Sequence, residues 1–170
     1  VESYDTPVYI SDNAKIKPKA LNAINRNTED ALKEYGVPVE RKPTIVVLAE
    51  EELSNALGLY DPCTNIVYYN QVLSDLKIQT GVGGKGAVER HEMWHMKQAE
   101  DFQNAEWIIT REKRGEYLQK LCEKCKKNID NSGITKDNVG EISEYAKIMY
   151  NRGRYDEVEA EFVTWKRKKV

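Results

Sequence analysis

Hydrophobic positions in the first part of the chain change from irregular to helical spacing. Residues 1–17 show no regular pattern and predict an irregular segment. From Ala20 to Tyr35, apolar residues recur three and four positions apart, which is typical of a helix with one buried face. Pro18 is tolerated in a first helical turn and Gly36 is a common terminator, so the pattern predicts a helix between them.

Two short apolar runs predict a small sheet. Residues 44–48 are β-branched or apolar and follow Pro43, which is typical of a central strand. Residues 65–70 have the same character and follow the turn-forming residues 61–62. Leu59 and Tyr60 precede this turn and are expected in a strand that pairs alongside.

Beyond Gly86 the spacing of apolar residues predicts helices and no further strand. The expected helices span residues 87–101, 105–129, 137–150 and 154–167. Strands followed by helices are typical of the α+β class. We therefore predict one α+β domain over residues 1–170, with a mainly helical C-terminal half.

The charge and hydropathy of the chain limit the kinds of binding partner that we expect. The chain has 26 basic and 28 acidic residues and a formal net charge of −2, so no charge excess predicts binding to nucleic acid or to an anionic membrane. No apolar stretch reaches the roughly 20 residues that span a bilayer. We expect a soluble protein in the cytoplasm or delivered as part of a larger polypeptide, and the start at Val1 is compatible with a piece of such a polypeptide.

The three cysteines do not predict a disulfide framework or a structural zinc site. Cys122 and Cys125 lie at helical spacing in a charged helical stretch, with no second Cys or His pair to complete four ligands. We interpret them as inert thiols on a core-facing side of a helix.

The segment His91-Glu-Met-Trp-His95 indicates a metal-binding site, and it contains the only two histidines of the chain. Residues four apart lie one turn above each other on a helix, so His91 and His95 can bind one ion together. Glu92 is offset by one residue and can reach a water on that ion without coordinating it. The motif predicts a metal-dependent hydrolase with one Zn²⁺ ion.

A catalytic zinc site usually has three protein ligands, and the chain offers no third histidine. The helix after residue 154 places Glu157 and Glu161 one turn apart, in a stripe beside its apolar face. We predict Glu157 as the third ligand and Glu161 as the acceptor that orients a histidine ring through its other nitrogen. Other carboxylates stay open as third ligands, namely Asp101, Asp156, Glu159 and Glu161 itself.

The motif at 91–95 followed by Glu157-Val-Glu-Ala-Glu161-Phe162 resembles the gluzincins, zinc metallopeptidases of the zincin type. It looks like the minimal members of that group, including those encoded by phages and mobile elements. The resemblance implies a zincin-like fold, in which a small mixed sheet with an edge strand packs on the active-site helix. Residues 105–150 then form a helical insertion between the active-site helix and the third-ligand helix.

The same resemblance implies hydrolysis of peptide bonds, with Glu92 as the general base and a peptide or protein as substrate. It assigns the edge strand that binds the peptide to Asn65, Ile66, Val67, Tyr68 and Tyr69. Tyr150 and Tyr155 are close in sequence to the third-ligand helix and are candidates to stabilise the oxyanion.

Two other functions fit the motif. A deformylase-like amidase uses the same histidine pair with a cysteine as third ligand, and Cys63 would have to take that role. A non-catalytic zinc-binding module of a larger polypeptide, such as a phage structural protein or a toxin, would use the site to stabilise a partner surface. Glu92 favours an enzyme, because a structural site needs no general base.

Overall fold

A computed structural model describes residues 4–103 and 109–168 of the chain. Contacts divide the chain into two compact units, Val1–Ala105 and Glu106–Val170. The first unit holds a four-stranded mixed sheet with three helices, and the described part of the second unit is helical. The fold class is α+β, as the sequence predicts.

The sheet is built from four short strands: β1 (Val8–Ile10), β2 (Thr44–Leu48), β3 (Gly58–Asp61) and β4 (Ile66–Asn70). Their spatial order is β1-β2-β4-β3. β2 is parallel to both β1 and β4, and β3 is antiparallel to β4. The predicted strands at residues 44–48 and 65–70, and the strand beside them at Leu59 and Tyr60, are confirmed.

The predicted position of the edge strand is wrong. Of the five residues assigned to it, Ile66, Val67, Tyr68 and Tyr69 lie in β4, which pairs with β2 on one side and β3 on the other. Asn65 belongs to the β3–β4 turn, where its φ is 57° and its Oδ1 accepts a hydrogen bond from Tyr60 Oη at 2.7 Å. The edge position at this side of the sheet belongs to β3, because strand order depends on tertiary pairing that the pattern of one strand does not contain.

Helices cover one face of the sheet. Gly58 and Tyr69 are partners across β3 and β4, so both positions point to the same face. On that face Tyr69 Oη lies 2.9 Å from Thr28 Oγ1 of α1 (Pro18–Glu34), and Gly58 adjoins α3 (Ala87–Gln103). The buried residues of this face are Ile45, Val47, Tyr60, Val67 and Tyr69. On the opposite face Asn70 is buried, whereas Tyr9, Val46, Leu59 and Tyr68 are half-buried or exposed.

The helices of the first unit begin and end near the predicted residues. α1 begins at Pro18 and is followed by Gly36, whose φ of 70° ends the helix in the left-handed region. α2 (Leu76–Gly81) is capped by Asp75, whose carboxylate accepts from the backbone N–H of Lys77 at 2.8 Å. α3 extends the predicted helix at 87–101 by two residues.

The N-terminal segment contains a strand that the sequence does not predict. Val8–Ile10 pairs in parallel with Ile45–Val47 of β2. Upstream, Tyr4 Oη donates to the carbonyl of Val37 at 2.6 Å and fixes the segment to the end of α1. A three-residue strand is too short for its own periodicity to be recognised, and Tyr9 is 63% exposed, so no apolar alternation marks it.

Three helices form the described part of the second unit: α4 (Arg114–Asn131), α5 (Glu144–Asn151) and α6 (Tyr155–Lys168). Their core contains Ile129, Ile134, Val139, Ala146, Met149 and Val158. The helix predicted at 105–129 begins later, because residues 109–113 are not helical and residues 104–108 lie outside the described part. The helix predicted at 137–150 is interrupted: Ser143 Oγ accepts from the N–H of Ala146 and caps α5.

Both α4 and α5 pack against α6, the helix that carries Glu157, within the second unit. This packing neither confirms nor contradicts the predicted helical insertion at residues 105–150. The prediction of one domain over residues 1–170 stays a prediction. Among the described residues, no helix is long and apolar enough to cross a membrane.

Candidate metal centre

α3 brings the two histidines together. His91 and His95 lie one turn apart, and their Nε2 atoms are 3.2 Å from each other. Two nitrogen ligands of a tetrahedral zinc ion, each about 2.05 Å from the metal, would be roughly 3.3 Å apart. The two rings are thus already spaced as two ligands of one zinc ion.

Gln98 orients the second histidine. Its Oε1 lies 2.8 Å from Nδ1 of His95, and its side chain is buried one turn further along α3. Because an amide oxygen only accepts, Nδ1 carries the proton and donates, which leaves the lone pair of Nε2 directed toward His91. Sequence analysis predicts a carboxylate in this role and does not identify Gln98.

Glu92 lies on the side of α3 that faces the edge strand. Its side chain is 7% exposed, and its carboxylate adjoins the backbone of Gly58 at the start of β3. The predicted general base is therefore next to the edge strand of the sheet, although that strand is β3 and not β4.

Buried polar contacts fix α3 within the first unit. Asn27 Nδ2 of α1 donates to Glu89 Oε2 at 2.8 Å. Burial raises the pKa of Glu89, and Asn27 partly offsets this by hydrogen bonding to the charged form. Burial, followed by the charge of Glu89, raises the pKa of Tyr69 well above 10, so Tyr69 stays a neutral phenol bonded to Thr28.

Two of the candidate carboxylates on α6 face α4 instead of a metal. Asp156 accepts two hydrogen bonds from the Arg154 guanidinium, both at 3.1 Å, and one from the Cys122 thiol at 3.4 Å. Glu159 accepts from Asn128 Nδ2 at 2.9 Å. Both carboxylates are buried and bound to residues of their own unit. These contacts account for the burial of Asp156 and Glu159 without a metal.

The same contacts account for the cysteine pair. Burial, followed by the charge of Glu159, raises the pKa of Cys125. Burial, followed by the charge of Asp156, raises the pKa of Cys122. Neither cysteine forms a disulfide, and the raised pKa values favour the neutral thiols. Cys125 is buried and Cys122 is half-buried, and the interpretation as inert thiols stays a prediction.

Glu157 occupies a different side of α6. Its Oε1 accepts from Tyr145 Oη at 2.7 Å, and its Oε2 lies 3.6 Å from Nη2 of Arg154. One nitrogen of His91, one nitrogen of His95 and one carboxylate oxygen of Glu157 all lie within 4.8 Å of one another. Among the described residues this is the one group of three or more His, Cys, Asp or Glu side chains that could hold a metal ion.

The other predicted ligands are not in this group. Asp101 lies at the end of α3, is 40% exposed and pairs with Lys97 at 3.3 Å. Cys63 lies in the β3–β4 turn, where its backbone N–H donates to Asp61 Oδ1 at 2.9 Å. The deformylase-like alternative, which needs Cys63 as a ligand, has no support from this geometry.

Glu161 and the two predicted tyrosines contact residues of the second unit. Glu161 Oε1 accepts from Ser143 Oγ at 2.7 Å, and its role in orienting a histidine stays a prediction. The Tyr150 and Tyr155 rings meet edge to face at 5.3 Å, and the Lys126 ammonium lies within 6 Å of both. Their predicted role as oxyanion stabilisers also stays a prediction.

Tyr145 and Gln98 are the site residues that sequence analysis misses. Tyr145 is 43% exposed, yet its hydroxyl contacts the proposed third ligand. A tyrosine on the helix before Glu157 and a Gln three residues beyond His95 are the only signals for them in the sequence. Both signals are weak, because many helices have such residues without a metal nearby.

Comparison with known proteins does not place the chain in a family. No protein-family model, curated protein or solved structure matches it.

Proposed function

We propose that this chain is a zinc-dependent metallopeptidase with His91, His95 and Glu157 as ligands and Glu92 as the general base. The observation that carries the proposal is the separation of 3.2 Å between the two histidine Nε2 atoms, with a carboxylate oxygen of Glu157 within 4.8 Å of one ring nitrogen of each histidine. The donor set of two imidazoles and one carboxylate is typical of catalytic zinc, which keeps a fourth position open for water.

The residues present suit such a metal. Gln98 fixes the tautomer of His95, and the carboxylate of Glu157 is oriented by Tyr145 at Oε1 and by Arg154 near Oε2. A bound zinc ion lowers the pKa of its water to about 7 and polarises a carbonyl group.

Glu92 supplies the proton transfer in this proposal. Glu92 is buried and follows His91 directly in α3, and in this proposal it accepts the proton of the attacking water and delivers it to the leaving amine. The substrate is a peptide, because the edge strand β3 lies beside Glu92 and its free edge offers main-chain donors and acceptors to an extended segment.

The substitution Glu92→Gln tests the enzyme. It keeps the size of the side chain and removes the base, so zinc binding should persist while cleavage falls by at least about 100-fold. The probe is a mixed library of unstructured peptides with equimolar zinc, and cleavage is read by mass spectrometry. Asp101→Asn, at the exposed end of the same helix, is the matched control and should cleave like the parent chain.

The cleavage and zinc-binding measurements have three distinct outcomes. Zinc-dependent cleavage that is lost in Glu92→Gln supports the proposal. Equal cleavage by Glu92→Gln and the parent chain contradicts the mechanism. Tight binding of zinc with no cleavage of any library peptide supports a non-catalytic zinc-binding module instead.

A further inference from the structure

Gly58 is the first residue of the edge strand β3, and it lies against α3 without any space for a side chain. A Cβ atom built at this position would lie 2.9 Å from Cγ of Glu92 and 3.1 Å from its Oε2. It would also lie 3.0 Å from Cγ1 of Val88, one turn earlier on α3. Real Cβ atoms essentially never lie within 3.0 Å of a heavy atom to which they are not bonded through the local chain, so the Glu92 side chain would have to move.

The backbone of Gly58 does not itself require glycine. Its φ is not among the positive values of the chain, and it pairs with Tyr69 in regular antiparallel register. Glycine in a strand costs conformational entropy and contributes no packing, so it commonly marks a close approach of another group. Here the group that approaches is the side chain of Glu92.

We propose that Gly58 is a positioning residue for Glu92. The inference rests on the proposed function, because it assigns Gly58 a role through the proposed general base. Cγ and Oε2 of Glu92 occupy the space that a side chain at position 58 would need, and the missing side chain is what lets them lie there. Any larger residue at position 58 displaces the carboxylate and separates the base from the edge strand.

Val88 is the competing explanation, since the same Cβ would also contact its methyl group. Two features favour Glu92. It provides two of the three nearest atoms, and one of them belongs to the carboxylate itself. Val88 is β-branched and its χ1 is strongly restricted in a helix, so the more flexible side chain of Glu92 is the one that a Cβ at position 58 would displace.

A double-mutant cycle on thermal unfolding separates the two explanations. Gly58→Ala should lower the midpoint of the full-length chain by about 3–8 °C, the usual result of overpacking in a domain of this size. In a Glu92→Ala background, which lacks the Cγ atom, the same substitution should lower it by less than half as much.

Matched variants complete the cycle. Gly81→Ala places a methyl group in open space at the end of α2 and should not lower the midpoint, because it causes no clash and reduces the freedom of the unfolded chain. A loss that is equal with and without the Glu92 side chain, but is abolished by Val88→Ala, would overturn the inference. This experiment requires neither metal nor substrate, so its outcome does not depend on the proposed function.

A second measurement tests the role in catalysis. Gly58→Ala should reduce kcat at least about tenfold on any peptide that the zinc-loaded parent cleaves, while KM and the dissociation constant for zinc change less than about twofold. An unchanged kcat with a clear steric coupling to Glu92 would show a structural contact only and would overturn the positioning role. If the parent chain cleaves no peptide, the proposed function fails, and the steric cycle still decides whether Gly58 fixes Glu92.

Discussion

His95 Nδ1 lies 2.8 Å from Gln98 Oε1, three residues further along α3. The contact involves two side chains of one helix, so the helix itself sets the tautomer of its own metal ligand. Glutamine accepts this hydrogen bond as a neutral group, whereas aspartate or glutamate would place a charge in a buried position, which is costly.

Replacing Gln98 by Leu should weaken zinc binding by about 10–100-fold, because Nδ1 of His95 loses its acceptor and the ring loses its fixed orientation. Leu has a similar volume and suits a buried position, so the fold should be retained. A competition titration with a zinc-binding dye measures the affinity. Gln98→Glu keeps the acceptor and is the control. If the Leu variant binds zinc as tightly as the parent, Gln98 does not orient the ligand.

Glu157→Ala should lower the affinity for zinc by more than about 100-fold, because a direct ligand is lost rather than an orienting group. The matched variant is Glu159→Ala, two residues further along α6. It removes a buried carboxylate bonded to Asn128 and should cost about 1–3 kcal/mol of stability, with zinc affinity unchanged. The reverse ranking of the two variants in the same titration would assign the third ligand to Glu159.

Tyr145→Phe should reduce the affinity for zinc by about tenfold, because Glu157 loses the donor that holds its Oε1. Tyr145 is 43% exposed, so the free energy of unfolding without metal should change by less than about 1 kcal/mol. Zinc titration and urea unfolding of the same sample measure both quantities. A large loss of metal-free stability with unchanged affinity would show that the hydroxyl serves the fold.

The buried thiols make stability sensitive to alkaline pH. Cysteine in an unfolded chain has a pKa near 8.5, whereas burial raises the pKa of Cys125 and Cys122. Above that pH the unfolded state loses protons that the folded state keeps. Stability is therefore fully present below about pH 8.5 and is lost as the pH rises, by up to about 1.4 kcal/mol per unit for each thiol.

Urea unfolding at pH 7.0 and pH 9.5 tests this dependence. The parent chain should lose stability between these values, and Cys125→Ala should lose less, because the more strongly buried of the two thiols is gone. Cys63→Ala, in the β3–β4 turn, is the control and should keep the dependence of the parent. An identical dependence in Cys125→Ala and the parent would contradict the assignment to this thiol.

Much of the fold could be predicted from local patterns. α1 has regularly spaced apolar residues and ends before Gly36, and α3 is a long run with helical spacing of apolar residues. β2 and β4 are runs of mainly β-branched and aromatic residues that follow turn-forming residues. The spacing of His91 and His95 also has a local meaning, because it fixes both rings on one side of a helix. Glu157 could be ranked first because the apolar face of α6 is evident in the sequence.

The features of the fold that could not be predicted depend on contacts between segments that are distant in the sequence. The order of the strands placed β3 and not β4 at the edge, and the three residues of β1 join the sheet only because β2 offers a free edge. The interruption before α5 follows from a single cap at Ser143. Such effects arise from pairing and capping, which the period of apolar residues does not reveal.

The alternation along β3 has a consequence for how this site can evolve. Gly58 points toward α3 and can accept no side chain, whereas Leu59 points to the opposite face and is 46% exposed. Neighbouring positions of one strand are therefore under opposite mutational constraints. Substitutions at Leu59 can therefore change the exposed surface of β3 without displacing the carboxylate of Glu92.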